Sequence, residues 1–423
     1  MIDINLEEVK SFVLQGEFGL EMEGLRVDHR GFLSHTPHPF KEHPHIVRDF
    51  CENQVEINTG VEHSAKEAVQ ALGKYYKEIQ NVLKRLPEPE YLWPFSNPPY
   101  IKEEKDIPIA KFLGREKGKT EYRRYLSERY GRYKMALSGI HVNYSFSETF
   151  LRLQYERSGA GDYKEYKNQL YLQMAQKLLK YSWLLVALTA ASPMLDSSFL
   201  EKGVWGKDVF LGLSSVRCSE FGYWNFFTPV FSYENLDKYM ESFQWYIEKG
   251  WIQSPSELYY PVRVKPKGEN SLRNLRENGI NHVEFRLFDV NPLGKFGVDE
   301  RDVAFVQLMM GWFLSMSEEK LSDIDQIQAI QNIKSAAHFD LKTANVYMDG
   351  VNNTVEDAAL QVLKQMKRYY EGFPNREGIQ GVLEFEEEKC KDASRRYAWQ
   401  IRERYADCYV EKGLKLAASK QNV

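Results

Sequence analysis

In Gly19-Leu-Glu-Met-Glu-Gly-Leu-Arg-Val27 acidic and apolar residues alternate, the pattern of a β-strand with two unlike faces. Side chains two apart share a face, so Glu21 and Glu23 stand together while Leu20 and Met22 look the other way. Three more segments repeat this division. In Gly139 to Ser147, Ile140, Val142, Tyr144 and Phe146 share one face, and His141, Asn143 and Ser145 share the other. In His282 to Phe288, Val283, Phe285 and Leu287 point inward and Glu284 and Arg286 do not. In Cys51 to Ile57, Glu52, Gln54 and Glu56 alternate with Cys51, Val55 and Ile57, with Asp49 just upstream.

If these strands lie side by side, their polar faces combine into one concave surface carrying several carboxylates, an imidazole and an arginine. Hard divalent cations suit such an oxygen-rich set, and magnesium bridging to phosphate is the usual reason for gathering it. Taken singly, each segment reads more simply as a strand with a solvated face; four together favour a shared site.

Around these strands the chain alternates between helix and loop. Residues 4 to 15 carry apolar side chains at Leu6, Val9, Phe12 and Val13, the spacing of a short amphipathic helix, and residues 63 to 85 and 164 to 190 predict longer ones. The Pro-dense run from Leu86 to Pro108 predicts an extended surface connection, and Trp205 to Tyr260 a mixture of aromatic strands and loops. Helical periodicity dominates after Pro292, in Asp299 to Lys320, Ser322 to Ala337, Val355 to Tyr370 and Phe385 to Ser419. Glu386, Glu387 and Glu388 read there as a solvated face. The fold class is therefore α+β. We expect a catalytic domain at 1–310 and a helical extension at 311–423 packed on the same domain.

With 423 residues, 43% of them apolar, the chain can bury a large core. Its 56 basic and 60 acidic residues leave no basic footprint for nucleic acid. Cys51, Cys218, Cys390 and Cys408 are scattered and form no pair, which points to a reducing, cytoplasmic setting. The acid-bearing start Met-Ile-Asp-Ile-Asn-Leu-Glu-Glu is unlike a signal peptide. The most apolar run, Trp183 to Leu195, contains Pro193 and is shorter than the roughly 20 residues of a membrane span. No membrane partner is expected.

Two tempting motifs fail on inspection. Gly114-Arg-Glu-Lys-Gly118-Lys119-Thr120 has one residue too few between its glycines for a phosphate-binding P-loop, and no clear strand precedes it. His35, His38, His43 and His45 are interrupted by prolines and lack a cysteine, unlike a zinc site.

The polar faces belong to a longer series of motifs. Gly19 to Val27 is followed by Ser34-His-Thr-Pro-His-Pro39, Asp49-Phe-Cys-Glu-Asn-Gln-Val-Glu56 and Leu92-Trp-Pro-Phe-Ser-Asn-Pro-Pro99. Then come Tyr122-Arg123, Leu126, Arg129-Tyr-Gly131, Ser138-Gly-Ile-His-Val-Asn143, Ala191-Ser-Pro193 and Ser198-Phe-Leu200. Arg217-x-Ser219-x-x-Gly222-Tyr223 and Val283-Glu-Phe-Arg-x-x-Asp289-x-Asn-Pro292 complete the series. In this order the chain, to about residue 310, resembles the bacterial glutamate-cysteine ligase family. It is most similar to the ligase half of the bifunctional glutathione-forming enzymes.

The resemblance implies a glutamine-synthetase-like catalytic fold, whose curved, mainly antiparallel sheet is flanked by helices and floors the site. It implies Glu21, Glu23, Asp49, Glu56, His141 and Glu284 as metal ligands for Mg2+, with Mn2+ as a substitute, and ATP as co-substrate. Glu56, Asn143 and Arg286 would meet ATP, and Glu284 and Arg286 would be catalytic. Tyr122, Leu126 and Tyr223 would line a cysteine pocket, with Arg123 and Arg217 also binding substrate. The implied reaction joins the γ-carboxylate of L-glutamate to the amine of L-cysteine through γ-glutamyl phosphate. A separate glycine-adding enzyme would follow if glutathione is the end product. The rival readings are a γ-glutamyl ligase for a different amine and a non-catalytic nucleotide-binding relative. Three departures from the family pattern, Arg48, Thr59-Gly60 and Asn97, place a new charge and a looser turn near the metal floor and leave the acceptor open.

Overall fold

The computed structural model describes residues 7–422, so the start of the first predicted helix, through Leu6, lies outside the described residues. β1 (Gly16–Val27), β2 (Ile46–Arg48), β3 (Gln54–Asn58), β4 (Tyr91–Leu92) and β5 (Gly139–Phe146) begin the main sheet. β6 (Met194–Asp196) and β7 (Asp208–Phe210) form a separate ladder, β8 (Val262–Lys265) and β9 (His282–Asp289) return to the main sheet, and β10 (Asn345–Met348) and β11 (Val351–Thr354) make an outlying hairpin. The seven-stranded sheet runs β2-β3-β1-β5-β9-β8 with β4 beside the end of β1. All its pairings are antiparallel.

Directly opposed residues share a face, so register decides what the sheet presents. Glu23 opposes Glu56, Glu21 opposes His141, Asn143 opposes Glu284, and Glu284 opposes Arg263. The segments carrying polar faces in the sequence are thus neighbours. The register between β5 and β9 slips by one residue at His141, a β-bulge that lets two residues of β9 oppose one of β5. Such a bulge raises local twist and re-aims the side chains beside it, here Arg286.

The other sheet face is the core. Phe18, Leu20, Ile140, Val142, Tyr144, Val283 and Phe285 are each at most 1% exposed. Full burial of one such side chain is worth about 1.5–3 kcal/mol. The helices are α1 (Glu7–Phe12), α2 (Ala65–Lys84), α3 (Lys117–Tyr130), α4 (Glu148–Ser158), α5 (Tyr163–Thr189), α6 (Leu236–Glu248) and α7 (Leu272–Asn278). After β9 come α8 (Glu300–Phe313), α9 (Asp323–Ala336), α10 (Val355–Tyr369), α11 (Arg376–Lys391), α12 (Tyr397–Tyr405) and α13 (Tyr409–Lys420). Among them α2 packs on β1, and α5 on β8 and β9. The second half of α5 is buried on nearly every side because α8, α9 and α10 pack against it as well as the sheet. Ser64 and Asp162 start α2 and α5 by accepting the N–H of Glu67 and Glu165, and Ser322 with Asp325 forms a capping box on α9.

Several sequence expectations are corrected. The predicted strand at Cys51 begins only at Gln54, because Cys51 to Asn53 turn, and Glu52 faces away to accept the N–H groups of His38 and Lys111. The Pro-dense segment is extended but not on the surface: residues 92–99 are buried, Trp93 and Phe95 beneath α13. Asn97 donates to the carbonyls of Ser192 and Met194. Prolines report chain shape, and the aromatics between them drove the burial. Residues 205–260 contain α6, whose Tyr239, Met240, Phe243 and Tyr246 form a buried stripe. The continuous helix read over Phe385 to Ser419 breaks at 392–396 and again at Cys408, which adopts φ 63°. Glu386 is not solvated; it is fully buried against Lys389.

Candidate active site

The polar sheet face and α3 enclose a cavity of about 440 Å³. Glu21, Glu23, Asp49, Glu56, His141 and Glu284 line it, together with Arg217 and Arg286. Tyr122, Arg123, Leu126 and Tyr223 form another part of its wall. Of the residues singled out in the sequence, Asn143 alone is not at the surface of this cavity; it donates to Glu21 Oε1 at 3.0 Å.

His141 is the hub of the floor. Its Nδ1 lies 3.0 Å from Glu21 Oε2 and 3.7 Å from Glu284 Oε1, and its Nε2 lies 3.8 Å from Glu23 Oε1. Burial and the positive charge of Arg286 lower its pKa to about 4, so the imidazole is neutral at pH 7. The carboxylates divide into two environments. Glu284 is buried, which alone would raise its pKa, but Arg286, Lys265 and His141 hold it well below the carboxylate range. Glu21 is opposed by burial and by Glu284, yet the hydrogen bond to His141 and the charge of Lys265 bring it down to about 2. On the other side, burial and neighbouring Asp49 push Glu23 up to about 8. Burial, Asp49, Glu21 and Glu23 hold Glu56 well above its ordinary value.

The donor chemistry fits a hard divalent cation. One ligand atom each from Glu21, His141 and Glu284 lie within 4.8 Å of one another, and among the described residues no other group of His, Cys, Asp and Glu does so. Glu284 Oε2 and Asn143 Oδ1 are buried acceptors without a hydrogen-bond partner among the described residues. Oxygen donors with one neutral imidazole suit Mg2+ or Mn2+ better than a soft metal. Glu23, Asp49 and Glu56 supply a second oxygen-rich corner.

The basic groups are held in several ways. Arg286 Nη1 lies 3.2 Å and Lys265 Nζ 2.7 Å from Glu284 Oε1. Arg217 donates to the main-chain carbonyls of Arg286 at 2.7 Å and Phe288 at 3.4 Å. Its guanidinium lies against Gly139, where any Cβ would overlap it, and the Gly139 N–H donates to Glu23 Oε2 at 2.9 Å. Asp289 makes no ion pair with Arg286; it accepts from Ser192, Ser215 and the Ala191 N–H, cross-linking motif segments beneath Arg217. On α3, Tyr122 and Leu126 are one turn apart on the cavity side, and Arg123 donates to the Asp49 and Lys119 carbonyls. Tyr223 rests on Tyr259 with ring centroids 3.6 Å apart.

Sequence reasoning missed Lys265, Tyr259, Lys119 and Lys134, all of which line the cavity. The alternation Val262-Arg-Val-Lys265 could have marked Lys265, but four residues are too few to stand out. Lys119 sits in the rejected P-loop lookalike, which folds as a turn leading into α3 and still reaches the site. The three family departures point elsewhere. Arg48 donates to the Lys111 carbonyl and stacks on Phe112, Thr59 accepts the Leu20 N–H, and Asn97 is buried in the core. The histidine cluster disperses: His35 pairs with Asp106, His43 with Glu78, and His45 stacks on Tyr75.

A family model described as glutamate-cysteine ligase matches residues 2–251 and 233–336. The glutathione biosynthesis bifunctional protein GshAB of Clostridium perfringens is 34% identical over 396 residues, covering 89% of this chain and 50% of that protein. The chain therefore spans about half the length of the curated relatives it matches. The crystal structure of a bifunctional glutathione synthetase from Pasteurella multocida aligns with a TM-score of 0.81 at 27% identity, over 98% of this chain and 53% of that one. A glutamate-cysteine ligase from Francisella tularensis, solved in complex with AMP, shares the fold with a TM-score of 0.85 at 23% identity, over 96% and 88% of the two chains.

Proposed function

Because the chain belongs to the glutamate-cysteine ligase family, we propose that it joins the γ-carboxylate of L-glutamate to the amine of L-cysteine, consuming ATP and yielding γ-glutamylcysteine, ADP and phosphate. The observation that carries this reading is the convergence of five acids with Arg286 and Arg217 in one cavity. A glutamate carboxylate approaching the γ-phosphate is repelled by several kcal/mol in a partly dry site. Glu21, His141 and Glu284, and the corner of Glu23, Asp49 and Glu56, would each hold Mg2+ or Mn2+, which would supply the positive charge that offsets this repulsion.

The protein's own groups do the rest. Arg286, already aimed by the bulge and by Glu284, stabilises charge on the phosphoryl group as γ-glutamyl phosphate forms. Arg217, fixed by two carbonyls, offers its outer N–H groups to a substrate carboxylate. Tyr122, Leu126 and Tyr223 hold the acceptor side chain so that its amine attacks the acyl phosphate, a gain from orientation more than from any one base. Glu56 completes the ATP end from the cavity lining, and Asn143, which lies outside that lining, supports it by donating to Glu21 Oε1. The departures at Arg48, Thr59 and Asn97 lie outside the cavity lining and so lend no support to a different acceptor.

We retain the division into a catalytic part at 1–310 and a helical part at 311–423. All four cysteines are free, which supports the cytoplasmic placement, and no helix among the described residues is long and apolar enough to cross a membrane. The relatives are named as bifunctional glutathione biosynthesis proteins and this chain spans about half of their length; a separate glycine-adding enzyme belongs to the same proposal. The test is ADP release with glutamate and a panel of amines. Cysteine gives the highest rate; a rate at background with cysteine would defeat the reading.

A further inference from the structure

The cavity contains six basic side chains, and among the described residues five of them already have a partner. Arg286 and Lys265 face Glu284, Lys119 pairs with Glu116, and Arg123 and Arg217 are held by main-chain carbonyls. Lys134 is the sixth. It follows α3 in the short 3-10 turn Lys134–Ala136 and lines the cavity with Met135 and Leu137. Its exposed ammonium has no carboxylate, carbonyl or hydroxyl partner among the described residues, and another cation, Lys334, stacked over Trp224, is close enough to feel its charge. Trp224 and Tyr223 are also cavity lining, and Tyr223 belongs to the wall proposed above for the acceptor.

An ammonium set at a cavity rim beside a second cation gains most from an anion that arrives with the ligand. Neighbouring Met135, Leu137 and Tyr223 suit the apolar part of that ligand. We propose that Lys134 is a specificity residue that binds the α-carboxylate of the acceptor, so that the site selects an α-amino acid over a simple amine with the same side chain. This rests on the ligase reading above and adds the class of acceptor to it. Arg123 and Arg217 remain for glutamate and the transferring group.

Cysteine and cysteamine differ only by that carboxylate, which makes them the probes. ADP release by the full chain with glutamate and ATP is measured against each amine for the wild type, Lys134→Met and Lys134→Arg. In the wild type, kcat/KM favours cysteine over cysteamine. Lys134→Met reduces this preference at least tenfold, about 1.4 kcal/mol, mainly through the KM for cysteine, and Lys134→Arg restores most of it. An unchanged preference in Lys134→Met overturns the proposal. So does a rise in the KM for glutamate alone, which would assign the ammonium to the other substrate, or a wild type indifferent to the carboxylate. Absence of any cysteine-dependent rate in the wild type would instead be a failure of the ligase reading itself.

Discussion

Two clusters of buried charge in this chain look alike in composition and differ in what surrounds them. In the helical layer, Lys389 Nζ lies 2.5 Å from Asp302 Oδ1 and 2.8 Å from Glu386 Oε2, and Tyr397 donates to Asp302 Oδ2 at 2.9 Å. All three side chains are at most 2% exposed, and they line neither the sheet cavity nor the one beside α6. On the sheet, Glu284 is equally buried and also faces two cations; like Glu386 it keeps one carboxylate oxygen without a hydrogen-bond partner among the described residues, but it borders a cavity with four more acids. Burial and charge by themselves therefore do not mark a site. Unused acceptor capacity next to space for a ligand does, because a substrate must be able to reach the capacity that a cluster leaves open.

The sharpest way to break this contrast is to mutate both clusters. Glu284→Gln leaves shape and fold intact but removes a charge that Arg286 and Lys265 are built around; ADP release falls by about a hundredfold or more, with an unchanged circular dichroism spectrum. Unaltered turnover would remove the sheet cluster from the chemistry. Lys389→Met, in contrast, leaves Asp302 buried without its cation and costs about 3–5 kcal/mol of stability, read from urea unfolding, while the folded fraction turns over normally. A loss of turnover without a loss of stability would reverse the two assignments.

Smaller effects sharpen the picture. Gly139→Ala pushes a methyl group into the Arg217 guanidinium and lowers kcat/KM by about tenfold or more. The same substitution has little further effect in an Arg217→Lys background, and equal losses in both would show that Gly139 does not act through Arg217. The smallest effect is in pH dependence. Burial, more than the opposing charge of Lys389, holds the Glu386 carboxyl well above its ordinary value of 4.5. The folded state then keeps a proton that the unfolded chain gives up near pH 4.5, so the stability lent by this group is complete below that pH and declines as pH rises. Glu386→Gln removes the decline, so its melting temperature gains on the wild type between pH 5 and 8, by an amount equivalent to about 1 kcal/mol. Parallel melting curves across that range would contradict a raised pKa.

Much of the sheet was legible because strand alternation is a local signal. The apolar faces of β1, β5 and β9 and the acids opposite them follow from side chains that alternate in one run of chain. Glu386 shows where a local signal fails: three consecutive glutamates on a helix look alike, and only the position of Asp302 and Lys389 decides which one turns inward. The Pro-dense segment failed for the same reason, since the helix that covers Trp93 comes more than three hundred residues later. Lys134 escaped notice because a lone lysine carries no pattern, and its meaning lies in the absence of a partner.

From residue order alone came β1, β5, β9 and part of β3, their two faces, the family and the acids those strands carry. Tertiary structure decided which strands are neighbours, how the bulge at His141 aims Arg286, and which charges are satisfied. Periodicity and motif depend on residues near in sequence, whereas register, burial and hydrogen-bond saturation depend on chain segments brought together only by folding.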